Sequence, residues 1–130
     1  MIVLDTHIWI WWLTLNDKSL KPAWRDAISN ADAVGVSAIS CFETAWLVNR
    51  GRVEIPIPLD TWFDAALDGS GVRLLPITPL VAQLAVELPE HHRDPHDRLI
   101  IATAVANDAK LMSADGHFSD YEELAGRLIP

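Results

Sequence analysis

The sequence predicts a single α/β domain over residues 1–130, with a central, mostly parallel sheet of four to five strands and helices on both faces. Three observations point there. Short, mainly apolar runs alternate along the chain with longer stretches whose apolar residues recur at helical spacing. The first of those runs lacks the in-out alternation of a half-exposed strand, as expected for strands covered on both faces in a parallel sheet. With 130 residues the chain has room for one core and none for a second domain.

The elements follow in order. Residues 2–4 are a wholly apolar strand closed by Asp5, which is placed to cap the helix after it. Residues 7–15 carry Ile8, Trp9, Trp11, Trp12 and Leu15 at helix-compatible spacings, and Asn16-Asp17 stops them. A second helix spans about 21–31, with Pro22 in its first turn and Trp24, Ala27 and Ile28 as its apolar stripe. Residues 33–36 form the next strand. Ser40-Cys41-Phe42-Glu43 then reads as an S-x-x-E capping box opening a helix to about Arg50, stopped by Gly51, with Ile39, Phe42 and Trp46 on one face. Another amphipathic helix runs from Asp60 to about Asp68 around Trp62, Phe63 and Leu67. Residues 72–77 are a third strand, and Pro79 opens a helix to about Leu88. After a loop at 89–93 that pairs His91 with His92, Asp94-Pro95 starts a helix whose interior, 99–106, is apolar nearly all round and therefore buried. Residues 111–113 supply a fourth strand, and Leu128-Ile129 a weak last one.

Composition narrows the function classes. Half of the residues are apolar and no repetitive or Gly/Ser-rich tract interrupts them, which rules against a disordered or solenoid chain. The N-terminus lacks the basic n-region of a signal peptide, and 99–106 is too short to span a bilayer. A lone Cys41 excludes an internal disulfide and a cysteine-based zinc site. These features predict a cytoplasmic protein without a membrane partner. A net charge of −8 argues against a protein that coats nucleic acid electrostatically, so attraction to any polyanion must come largely through a bound cation.

Four carboxylates supply that cation's ligands. In an open parallel sheet the ligand crevice lies beyond the carboxyl ends of the strands. Asp5 and Asp115 each follow a strand, and Glu43 and Asp97 sit in the opening turns of helices facing the same edge. Oxygen-only donors select Mg²⁺ or Mn²⁺, and such sites keep open positions for water and phosphate. The chemistry this predicts is phosphodiester cleavage, with the metal polarising the phosphate and acidifying a water. Each acid also has a simpler role. Glu43 fits the third position of a capping box, Asp97 follows a possible Asp94 cap by three residues, Asp115-Gly116 is a common turn pair, and Asp5 caps a helix. Convergence of all four is what favours the metal, because bare carboxylates held together repel.

Other residues divide similarly. Trp9, Trp12, Trp46 and Trp62 lie on apolar stripes and are assigned to the core, and base stacking by a tryptophan is not expected, although Trp11 lies off the best stripe and could serve an interface. His7 is expected to be a packed helix residue, and His91, His92 and His96 to be surface or supporting groups. Arg50, Arg52, Arg93 and Arg98 are the basic residues nearest the acids, suited to phosphate contact or to holding a carboxylate, with Arg98 the more structural. Thr6 and Ser113, each beside an acid, are candidate hydroxyl donors to water or phosphate, or else caps.

At these residues the chain resembles a PIN-domain ribonuclease of the VapC toxin type. The resemblance is carried nearly end to end by Ile2-Val-Leu-Asp5-Thr6-His7, Val36-Ser-Ala-Ile-Ser40-Cys-Phe-Glu43, Leu75-Pro-Ile-Thr78, His92-Arg-Asp-Pro-His-Asp97-Arg-Leu-Ile-Ile-Ala102 and Leu111-Met-Ser-Ala-Asp115. It implies that Asp5, Glu43 and Asp97 are the core metal-binding and catalytic acids, with Asp115 a more variable fourth and Asp94 supporting the fold. It also implies an Mg²⁺- or Mn²⁺-dependent endoribonuclease with an RNA substrate, a homodimer, and inhibition by a VapB-like antitoxin whose basic tail enters the acidic site. Phe42 stands where the family often has tryptophan, and Ser113 where it often has threonine; neither change removes a carboxylate. A catalytically inactive PIN-fold interaction domain would not need all four acids. A phospho-acceptor signalling domain would need paired early acids and an Asp after the middle strand, and this chain has neither.

Overall fold

The computed structural model describes residues 1–16, 18–90 and 94–130. Asp17 and the sequence assignments to His91, His92 and Arg93 therefore lie outside the described residues. Four strands, β1 (Ile2–Leu4), β2 (Val34–Ser37), β3 (Arg73–Leu75) and β4 (Lys110–Met112), form one sheet in the order β3-β2-β1-β4. All three pairings are parallel, with Leu4 opposite both Val36 and Met112. The expected last strand is reduced to one bridge between Leu111 and Leu128, flanked by Leu111 N–H to Arg127 O and Ile129 N–H to Leu111 O hydrogen bonds.

Among the described residues, six α-helices connect these strands: α1 (Thr6–Leu13), α2 (Pro22–Asn30), α3 (Ala38–Asn49), α4 (Leu59–Ala66), α5 (Pro79–Glu87) and α6 (Pro95–Ala106). Because successive strand residues point to opposite faces, neighbours in one strand feed different cores. Leu4 and Met112 join α1, α2 and α4 in a cluster built on Trp9, Trp24 and Trp62. Val3 and Leu111 join Ile100, Ile101 and Ala104 of α6 in a second cluster. Helix α6 is buried along Ile100 to Ala104, as its all-round apolarity predicts.

Helix α3 departs from expectation. Strand β2 runs one residue further than predicted, to Ser37, and Ser37 caps α3 by accepting the Ile39 N–H. Ser40 is thus three residues inside the helix, fully buried, and accepts a 2.9 Å hydrogen bond from Thr6 Oγ1. The capping box is not formed, and Glu43 lies in the second turn, free of a capping duty. The buried side of α3 is Ser40, Thr44 and Leu47, whereas Phe42 and Trp46 are 59% and 37% exposed. Trp46 is consequently not a core residue; the guanidinium groups of Arg50 and Arg52 lie 4.9 and 5.2 Å from its ring. Small polar side chains let α3 approach α1 closely, which the aromatic face would prevent.

Gly35 sets the β2–β3 spacing. A Cβ there would stand 2.7 Å from Leu75 Cδ1 and 3.3 Å from the Arg73 carbonyl oxygen, and Leu75 is itself buried. Gly35→Val is expected to destabilise the fold by about 1–3 kcal/mol through overpacking, read as a lower urea midpoint, with Gly35→Ala intermediate.

Candidate active site

The chain moves outward from β1 to β2 and β3, then crosses back to place β4 on the other side of β1. A crevice opens at such a reversal, beyond the strands' carboxyl ends. Here it is a cleft of about 420 Å³ whose lining includes Asp5, Glu43, Asp94, Asp97 and Asp115. All four acids expected at the site are therefore brought to one cleft, with Asp94 beside them.

Asp5 is the most rigidly held. It is the N-cap of α1, its Oδ1 accepting the Ile8 N–H at 2.9 Å, and it is 8% exposed. Burial raises its pKa, opposed by the Ser113 hydroxyl, the Ile8 N–H, the charge of His7 and the Ala114 N–H. Ser113 thereby links the end of β4 to the end of β1, and its Oγ also accepts the Asp115 N–H at 3.0 Å. Asp115 caps the following 3₁₀ turn, Gly116–Asp120, through the His117 N–H, so its turn role and its place in the cleft coexist.

Asp94 caps α6 as expected, accepting the His96 N–H at 2.9 Å. Asp97, one turn in, faces the cleft, and its pKa is raised to about 7 by burial first and then by Asp94, Asp115, Glu43 and Asp5. Among the described residues, Asp97 is thus a carboxyl with four other acids around it. The next residue, Arg98, points elsewhere. Its guanidinium donates to the carbonyls of Leu88, Pro89 and Val86 at 2.6, 2.9 and 3.1 Å, capping the end of α5.

His96 Nδ1 lies 3.5 Å from Glu43 Oε2, and its ring meets the Phe42 ring edge-on at 5.6 Å. Thr6 lines the cleft but spends its hydroxyl on Ser40, where it ties α1 to α3. His7, expected to be packed, is exposed; it lines the cleft with Trp11, the two rings 5.9 Å apart. Their i, i+4 spacing after Asp5 was the available signal, since it puts both on the side of α1 that Asp5 opens.

Among the described residues the acids do not yet close into a grip of three donors; they ring an open cleft. The donor set nevertheless fits a hard divalent cation. Its oxygens are all carboxylate, and the upward push on Asp97, due first to burial and then to the neighbouring acids, is one a bound cation would oppose.

Residues 2–124 match the PIN domain. The chain is 40% identical to Ribonuclease VapC22 of Mycobacterium tuberculosis over 115 residues, covering 88% of this chain and 86% of that protein. Among solved structures, a toxin–antitoxin complex from Klebsiella pneumoniae superposes with a TM-score of 0.69 at 16% identity, covering 100% of this chain and 97% of that one. VapBC2 from Rickettsia felis, bound to a DNA fragment from its promoter, gives 0.70 at 19% identity over 99% and 98%. At these identities the two structures establish the shared fold.

Asp97 holds its proton more tightly folded than unfolded, where its pKa is 3.8. The folded state thus binds more protons between about 3.8 and 7, and its stability falls as pH rises through that window. In EDTA the urea midpoint should drop from about pH 5 to pH 8. Mg²⁺ or Asp97→Asn should flatten that slope.

Proposed function

Because the chain belongs to the PIN-domain family, we propose that it is an endoribonuclease that hydrolyses RNA phosphodiester bonds with Mg²⁺ or Mn²⁺, as the toxin of a toxin–antitoxin pair. The observation that carries this is the convergence of Asp5, Glu43, Asp97 and Asp115 on one cleft with Asp97 pushed to about 7. The 40% identity to a ribonuclease over most of the chain supports the same reaction class.

In this reading Asp5, Glu43 and Asp97 hold the ion, with Asp115 a fourth donor. The bound cation supplies a Lewis acid for the scissile phosphate and acidifies a water. Ser113 and the Ile8 and Ala114 N–H groups fix the Asp5 carboxylate, so that its free lone pairs face the cleft. Helix α6, buried along Ile100 to Ala104, presents Asp97, and Arg98 anchors that helix to the end of α5. His96 keeps a polar N–H or lone pair beside Glu43. The same acidity that calls for a metal also suits a basic peptide, so a VapB-like antitoxin inserting Arg or Lys into the cleft, with the toxin as a homodimer, is the corresponding regulated state. No helix among the described residues is long and apolar enough to cross a membrane.

Purified protein should cleave labelled RNA in Mn²⁺ or Mg²⁺ and lose the activity in EDTA. Asp5→Asn and Asp97→Asn should each lower cleavage by at least about a hundredfold, since metal-site electrostatics of this kind supplies several kcal/mol, while circular dichroism remains native. Cleavage that survives EDTA or either substitution would sink the mechanism.

A further inference from the structure

The acids account for one wall of the cleft; the other is aromatic. Trp11 and His7 line the same 420 Å³ space, yet neither carries a metal-ligating carboxylate, and Trp11 is only half-buried. Thr6, Ile8, Trp9 and Ile10 supply the buried side of α1, and Trp11 packs only partly against the core, leaving part of its ring to the cleft. His7 meets the Trp11 ring at 5.9 Å and an interplanar angle of 54°, a tilted contact that restrains the ring's edge without covering both its faces.

Position along α1 gives this wall its meaning. Asp5 caps the helix and Trp11 lies six residues on, about 9 Å along the axis at 1.5 Å per residue. A nucleotide whose phosphate is held by a cation on Asp5 and its neighbouring acids would therefore have a flat, partly open indole within reach of its base. Stacking on an aromatic ring is sequence-tolerant and is the standard way to fix a single-stranded base where arginines are scarce. In this chain, with a net charge of −8, apolar stacking avoids the repulsion that hinders phosphate contacts.

We propose that Trp11, braced by His7, is a base-stacking platform for a nucleotide adjoining the scissile phosphate of single-stranded RNA. This rests on the RNA-cleaving reading above and makes Trp11 a substrate-positioning residue. It also predicts that cleavage requires an unpaired base at that place, because a base inside a duplex cannot reach the indole face.

The test uses fluorescein-labelled oligoribonucleotides with one abasic site walked along the strand, and anisotropy titrations in Ca²⁺, a hard cation that takes the same oxygen donors, with strand integrity checked on gels. For the unaltered protein, abasic substitution at one or two positions should weaken binding about tenfold, within the range for a lost base–aromatic stack. Trp11→Leu, which keeps an apolar side chain against the core, should weaken the complete strand by a similar factor and erase the abasic penalty. Trp11→Phe should restore both. A Trp11→Leu protein that retains full affinity and the full abasic penalty overturns the platform. So does one that binds RNA normally but loses capture of an arginine-bearing peptide, which would give the wall to a protein partner. If the unaltered protein binds none of these strands, the RNA reading itself fails and the platform with it.

Discussion

Mutual repulsion among carboxylates is the constraint around which the rest of the molecule is arranged. Asp5, Glu43, Asp94, Asp97 and Asp115 share one cleft, and at Asp97 burial, reinforced by these neighbours, raises the pKa to about 7. Local forces would disperse such a cluster, so each acid is held by something that cannot easily move. Asp5 ends the central strand, Glu43 rides on a helix bonded to α1 through Thr6 and Ser40, and Asp97 projects from a helix whose following turns are fully buried. Two apolar cores, one on each face of the sheet, stabilise what the site destabilises. A local conflict of this kind, embedded in an otherwise consistent fold, is where function is expected.

Much of this was legible in the sequence because the strongest signals were local. The apolar triplet before Asp5, the Asp94-Pro95 helix start and the all-round apolar 99–106 stretch each specify structure without reference to a partner. Where the sequence misled, two local answers were nearly degenerate. Ser37 and Ser40 are three residues apart, and either hydroxyl could cap α3. Pairing of Ser37 with Leu75 in the sheet decides for Ser37, which is tertiary information.

Helix α3 shows the second kind of failure. Apolar periodicity identifies a stripe but assumes that it faces inward, and here Phe42 and Trp46 face out while Ser40 and Thr44 face in. The Thr44 hydroxyl is buried without a hydrogen-bond partner among the described residues, a cost borne by close helix packing. Likewise His7 and Trp11 could be placed on α1 from sequence, but not on a cleft whose other wall comes from residues ninety positions later. Contacts at long sequence separation leave no local trace.

Sheet order also governs when the protein can act in its own biosynthesis. The central strand, β1, is made first, but one of its neighbours, β4, is residues Lys110–Met112, and Ser113, Ala114 and Asp115 complete the setting of Asp5. A chain still missing its last sixth carries Asp5, Glu43 and Asp97 but lacks the strand beside β1 and the Ser113 and Ala114 groups that hold the Asp5 carboxylate. The four-acid cleft is therefore completed only when the last strand made docks beside the first.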